Sequence, residues 1–175
     1  YHFLIKNVQM KFYLNLVKKL KCINQRIEFS SDFIIGYPGE TDQDFASSIK
    51  LLKEIKYINT YSFVFSPRPG TPASKMKKIN KNVSKERLAT FQKLAKEIKI
   101  KYRKNLLNKS SLVLFENSIS NKNTYFGRDE YSNPVIVKST ENLRGKIREV
   151  KIFEGNQGTL FGELEENKNN EEFAA

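Results

Sequence analysis

Two strings about thirty residues apart hold the side chains and turns best suited to chemistry. They are Asp32-Phe33-Ile34-Ile35-Gly36-Tyr37-Pro38-Gly39-Glu40-Thr41 and Ser62-Phe63-Val64-Phe65-Ser66-Pro67-Arg68-Pro69-Gly70-Thr71-Pro72-Ala73. Each begins as a run of β-formers and stops at a Pro/Gly turn. Glycine at position 36 leaves no β-carbon in the way, so a ligand could approach the backbone at this strand end closely. Pro38 belongs to the same turn, which serves equally well as a tight loop feeding a helix. Arg68 is the only cation of the second loop. With Ser66 beside it, it suits a carboxylate or a phosphate, although a rigid turn leaving a buried strand also accounts for the loop.

Charge is the other chemical signal. The chain has 31 Lys and Arg against 19 Asp and Glu, a net of +12, with residues 75–109 carrying 13 basic and 2 acidic side chains. Residues 110–164 carry 7 of each, and the tail 165–175 is acidic. A basic stretch this dense suits phosphate, and Lys96, Lys99 and Arg103 are its candidate contacts. Solvation of a helix by lysines is the plainer alternative. Arg128, Lys138 and Lys146 are candidate phosphate ligands further on, where Phe126, Tyr131 and Phe161 offer stacking faces. Phe161 also reads as core.

Other chemistries are poorly supplied. The single histidine, His2, gives no basis for histidine catalysis, and no catalytic residue is assigned. Cys22 is the only cysteine, so a disulfide framework is excluded and a reducing, cytoplasmic setting is expected. One thiolate cannot hold an iron–sulfur cluster, which needs three or four, and no metal site is assigned. No apolar run reaches the length of a membrane span, and Tyr1 to Lys11 lacks a signal-peptide pattern. The start at Tyr1 rather than methionine suggests a fragment or an irregular start.

These residues need elements to hold them. Residues 10–21 have helical spacing, with Phe12, Leu16 and Leu20 on one face and Tyr13 and Val17 beside them. Ile27 to Ile35 reads as a strand, its unbroken apolar run suiting burial on both faces. Thr41 and Asp44 have capping-box spacing for a helix whose stripe is Phe45, Ile49 and Leu52. Tyr61 to Phe65 is the next strand, and Ser84 suits the N-cap of a long helix through Leu88, Phe91, Ala95, Ile98 and Tyr102. From Ser110 the period changes. Strand candidates at 111–116, 124–129, 133–139, 148–154 and 158–164, with a hairpin at 154–158, point to a small OB-like β-barrel.

From about Ile27 to Leu164 the chain resembles the C-terminal half of a radical S-adenosylmethionine tRNA methylthiotransferase of the MiaB type. The first string resembles that family's fifth barrel strand and turn, and Ser66 to Ala73 the sixth. Gly127-Arg128, Pro134 to Val137 and Leu160-Phe161-Gly162-Glu163-Leu164 resemble a TRAM domain, an RNA-binding module. The resemblance implies an α/β fold, a partial radical SAM barrel with its basic connecting helix over residues 1–109. A TRAM-like β-barrel over 110–164 and an acidic tail over 165–175 follow. It further implies S-adenosylmethionine held by Ile34, Ile35, Gly36, Pro38, Ser66 and Arg68, and two [4Fe–4S] clusters in the complete enzyme. The partner would be the anticodon stem-loop of tRNA. The reaction would add a 2-methylthio group to an isopentenyl-modified adenosine beside the anticodon.

The chain departs from that family in lacking its cysteine triplets and the front strands of its barrel. A truncated or frameshifted product accounts for both, with the missing N-terminal part as a possible partner. Such a chain alone would be inactive. A non-catalytic RNA-binding remnant is the competing reading. Related enzymes acting on threonylcarbamoyl adenosine or on a ribosomal protein share the architecture.

Overall fold

The computed structural model describes residues 7–120, 123–156 and 158–165, so His2, Gln157 and the tail beyond 165 lie outside the described residues. Its contacts divide into two compact units, Tyr1–Lys99 and Ile100–Ala175. The boundary falls inside the long helix, earlier than the expected break at 109. The reason is local: Leu106 and Leu107 pack against the core of the second unit.

In the first unit, helices α1 (Asn7–Ile23) and α2 (Asp42–Ile55) accompany strands β1 (Ser30–Ile35) and β2 (Asn59–Val64). A 3-10 turn at Pro72–Lys75 leads to α3 (Lys81–Lys104). β1 and β2 are parallel, with Asp32 opposite Tyr61 and Ile34 opposite Phe63. A parallel pair needs a crossover, and α2 supplies it. α2 starts where the sequence said: Thr41 Oγ1 accepts from the Asp44 N–H, and Asp44 Oδ2 accepts from the Thr41 N–H. Lys56, in the left-handed region at φ 58°, ends it.

The core of this unit joins Ile35, Leu51, Leu52, Ile55, Tyr57, Phe91 and Ala95 to Met10 and Val17. The Phe33 ring packs on Phe91 at 4.6 Å between centroids. Only one face of the strand pair is covered by described residues. Phe33 and Ile35 face the helices, while Asp32, Ile34, Tyr61 and Phe63 are exposed, the last two at 62% and 59%. The expected burial on both faces is therefore corrected to burial on one. β1 also begins at Ser30 rather than Ile27.

Two helix faces differ from expectation. In α1, Met10 and Val17 are buried with Tyr13 and Leu14 against them, whereas Phe12 is 73% exposed and Leu16 is exposed too. Tyr13 and Val17 lay beside the expected stripe, so the buried face is that stripe rotated around the helix. α3 begins at Lys81, not after Ser84. Asn80 is its cap, with Oδ1 accepting from the Asn82 N–H at 2.8 Å. Ser84 is instead a buried residue one turn inside the helix.

The second unit is a closed barrel in the order β3-β4-β5-β7-β6, and β6 returns to β3. Its strands are β3 (Ser110–Ser120), β4 (Thr124–Asp129), β5 (Pro134–Lys138), β6 (Ile147–Gly155) and β7 (Leu160–Leu164). All pairs are antiparallel except β5 with β7, which is parallel. Val113, Phe115, Val135, Val137, Leu143, Val150, Ile152 and Leu160 fill the interior. Closure brings backbones very close at two glycines. A β-carbon on Gly127 would lie 2.4 Å from the Leu114 carbonyl oxygen, and one on Gly162 2.4 Å from a Val150 methyl. The expected small five-stranded barrel is present. β3 is longer than expected and carries register shifts between Phe115 and Asn117 and between Ser118 and Ser120.

Candidate functional site

β1 ends in Gly36, whose φ of +74° is costly for any residue with a β-carbon. The space a β-carbon would take is already filled, because Ser84 Oγ would be 2.4 Å from it. Glycine at this position therefore admits helix α3 rather than a ligand. The Gly36 N–H is also committed, donating to Glu40 Oε2 at 2.9 Å. Arg87 Nη1 in turn donates to Glu40 Oε1 at 2.6 Å and to the Glu40 carbonyl at 3.2 Å. Arg87 Nη2 donates to Asp42 Oδ1, and the guanidinium lies over the Phe45 ring at 5.6 Å. Burial alone would lower the Arg87 pKa. The hydrogen bonds to Asp42 and Glu40 outweigh it and hold the guanidinium above its ordinary value.

The expected cofactor residues thus divide. Ile35 is buried and its carbonyl accepts from the Phe65 N–H at 2.8 Å, so neither its side chain nor that carbonyl faces a ligand. Pro38 is buried as well, and Gly36 is closed off as described. Ile34 is exposed and shares its sheet face with Phe63, Tyr61 and Asp32. Ser66 and Arg68 are exposed in the loop after β2, where Thr71 Oγ1 donates to the Arg68 carbonyl at 2.8 Å and closes the turn. Asp32, Tyr61 and Phe63 were missed from the sequence. The signal was there in their alternation with Phe33, Ile35 and Ser62, since every second residue of a strand shares a face.

A cleft of about 330 Å³ lies between α1, β1 and α2, lined by Met10, Tyr13, Phe33, Tyr37, Asp44 and Tyr57 among others. The Tyr57 hydroxyl donates to that of Tyr13 at 3.3 Å. Burial, and then this hydrogen bond, push the Tyr57 phenol above its ordinary pKa, so it stays protonated.

The candidate phosphate contacts are not gathered in one place. Lys96 is exposed on α3, and Lys99 Nζ donates to Asn59 Oδ1 at 2.6 Å. Arg103 is a correction. It is 3% exposed in the barrel unit, and its Nη1 donates to the Asn156 carbonyl at 3.1 Å. Burial lowers its pKa, and a side chain so placed is an internal strut rather than a phosphate ligand. Arg128 is exposed, 3.3 Å from Glu116 and over the Phe126 ring at 5.4 Å. An exposed pair of this kind contributes about 0–1 kcal/mol, so a phosphate can compete for the guanidinium. Lys138 is exposed at the other end of the β4–β5 ladder, where it stands opposite Thr124. Lys146 shares Glu141 with Arg148, at 2.6 and 2.8 Å, and Arg148 is a further cation the sequence reading passed over. The hydrogen bond from Lys146, followed by that from Arg148, holds the Glu141 carboxyl below its ordinary value.

The implied cofactors fit unequally. The exposed Ile34, Tyr61 and Phe63 surface suits an adenine ring, and Arg68 suits a carboxylate. Iron–sulfur clusters do not fit this chain. Cys22 is its only cysteine, and no group of three or more His, Cys, Asp or Glu side chains is placed to hold a metal ion among the described residues.

A parallel strand–helix–strand unit with turn-rich strand ends, followed by a small closed β-barrel, defines the class: an α/β unit joined to a small β-barrel module. No protein-family model matches the chain. Individual proteins do. The chain is 46% identical over 154 residues to a Pelagibacter ubique protein named tRNA-2-methylthio-N(6)-dimethylallyladenosine synthase, an alignment covering 88% of this chain and 34% of that one. Proteins of the same name are 37% identical in Wolbachia pipientis, covering 86% of this chain and 35% of theirs, and 35% identical in Rickettsia canadensis, covering 88% and 35%. The resemblance read from the strand-end strings thus extends to homology with these synthases along nearly the whole chain. The chain spans about a third of the length of the curated relatives it matches.

Proposed function

We propose that the chain is the C-terminal portion of a tRNA methylthiotransferase. The complete enzyme would add a 2-methylthio group to an isopentenyl-modified adenosine beside the anticodon. Its radical chemistry would be supplied by S-adenosylmethionine and two [4Fe–4S] clusters whose ligands lie outside this chain. The observation that carries the proposal is the 46% identity over 154 residues, spanning both units in order. In this reading the first unit contributes the last strands of a radical SAM barrel, and Ile34 and Arg68 bind the cofactor. The second unit is a TRAM domain, with Arg128, Lys138 and Lys146 on RNA phosphates, while Lys96 and Lys99 on α3 are separate candidate phosphate contacts in the first unit.

A non-catalytic RNA-binding module is the second reading, favoured by the single cysteine. Both readings require RNA binding, so that is the first test. The 175-residue chain is titrated with a labelled tRNA anticodon stem-loop at two salt concentrations. Affinity is expected to fall steeply with salt, because binding releases condensed counterions. Lys96→Glu, Lys138→Glu and Lys146→Glu should each flatten that slope, and Arg128→Ala should cost on the order of 1 kcal/mol. No binding at low salt, or binding indifferent to salt and to these changes, would overturn both readings. Isopentenyl-modified and unmodified stem-loops then separate them, since only a methylthiotransferase portion has reason to prefer the modified base.

A further inference from the structure

The loop that leaves β1 is held from an unexpected direction. Its first amide, the Gly36 N–H, donates to Glu40 Oε2 at 2.9 Å, within the loop itself. The other oxygen of that carboxylate is gripped by Arg87 from α3 at 2.6 Å, and the same guanidinium nitrogen takes the Glu40 carbonyl. Both side chains are nearly sealed from solvent, with Glu40 6% and Arg87 10% exposed. Ser84, one helical turn before Arg87, occupies the β-carbon side of Gly36. Two consecutive turns of α3 therefore fix both the backbone direction and the amide of one residue.

We infer that Arg87 is a positioning residue, acting through Glu40, for the strand end that receives the adenosyl ligand. This inference rests on the cofactor reading given above and deepens it. Ile34 presents its side chain two residues before Gly36, on the exposed sheet face. The angle at which Ile34 meets a ring depends on how the chain turns at Gly36. That turn lies in a left-handed conformation for which glycine has little intrinsic preference over others. A buried, charge-assisted pair reaching the loop from another element is a means of selecting one conformation among them. Arg87 touches no ligand. Its part is to hold Glu40, which holds Gly36. Lysine would keep the charge but lose the fork that takes Glu40 through Nη1 and Asp42 through Nη2 together.

The test uses the 175-residue chain and two readouts. The first is hydrogen exchange of the Gly36 amide, with Leu52 and Val135 as reference amides in the cores of the two units. In Arg87→Met the Gly36 amide should exchange about tenfold faster or more, while the references stay close to wild type. Arg87→Lys should recover only part of the protection, and Glu40→Gln, nearly identical in shape, should reproduce the loss. Lys50→Gln, which removes an exposed charge from α2, should change neither. The second readout is the response of the Ile34 and Gly36 resonances to S-adenosylmethionine, expected to weaken several-fold in Arg87→Met. Unchanged Gly36 exchange in both Arg87→Met and Glu40→Gln overturns the inference, as does faster exchange with undiminished ligand response. A wild-type chain whose resonances ignore the ligand would instead sink the cofactor reading. The exchange data would then still decide whether Arg87 fixes the strand end.

Discussion

Arg103 and Lys96 look alike in the sequence, two cations on one basic helix, yet they lie at opposite extremes of exposure. Arg103→Met should destabilise the barrel unit by about 2–4 kcal/mol, because the Asn156 carbonyl and the space around the guanidinium lose their occupant. Lys96→Met should leave stability within about 0.5 kcal/mol. Urea unfolding followed at the Val135 and Val137 resonances separates the two. Asp129 gives a pH test at the same scale. Burial, opposed by hydrogen bonds from Asn133 and from the Tyr131 N–H, holds its carboxyl above the ordinary value of 3.8. A folded-state pKa raised above the unfolded one means the native state binds more protons. Its contribution is therefore full below 3.8 and is lost as pH rises through the folded value. Barrel stability should decline over that window, and the decline should be absent in Asp129→Asn. Legibility at this scale was mixed. The residue types only nominate candidates for phosphate and ligand contact, because burial decides which side chains can be reached, and burial is set by partners distant in sequence.

Elements were read more securely than their faces. The capping box of α2 was legible because it is local: Thr41 and Asp44 satisfy each other within one turn. The start of α3 was not, because Asn80 and Ser84 are both good caps and only packing against Gly36 chooses between them. Asn80→Ala should cost about 1 kcal/mol of stability in the first unit, as loss of a cap does. Ser84→Val should cost more, since branching at that site meets the Gly36 backbone. Thermal melts of the two variants check the order. The strand faces were misjudged for a related reason. An unbroken apolar run signals hydrophobicity on both sides of a strand, but whether both sides are covered depends on elements elsewhere. In the barrel, Gly127→Ala and Gly162→Ala should each destabilise by about 1–3 kcal/mol, because the neighbouring strand backbone cannot retreat without opening the sheet.

At the scale of the whole molecule both units leave large apolar side chains in water, but their sheets differ at the edges. The first exposes Phe12, Ile23, Tyr61 and Phe63, all by more than half, and pairs β1 only with β2 among the described strands. An uncovered apolar sheet face favours self-association. Light scattering of the chain should therefore rise with concentration, and Phe12→Lys with Phe63→Lys should suppress it without lowering the melting temperature of the barrel. The second unit also exposes Leu112, Ile147 and Phe153 by more than half, but its closed barrel leaves no open edge among the described strands, since closure removes edges. The division into an α/β part and a β-barrel was legible because the hydrophobic period changes near Ser110. Its location within α3 was not, because a continuous helix carries no mark of which core each turn serves.

The parallel pairing of β5 with β7 makes the last strand in sequence one that the closed barrel cannot do without. Strands β3, β4 and β5 can zip as successive hairpins, each using a neighbour already made. The ring stays open until Leu160 to Leu164, the last of its strands, slots between β5 and β6. Val135 and Val137 keep a vacant flank until then. On the ribosome this means the module cannot mature strand by strand as it emerges. Synthesis must pass Leu164, and the segment must clear the exit tunnel, before the core seals in a single step. Contacts of such long sequence span make that step slow relative to helix formation. Stalled nascent chains ending shortly before Leu160 should remain protease-sensitive throughout the barrel, and chains extended well beyond Leu164 should become resistant all at once.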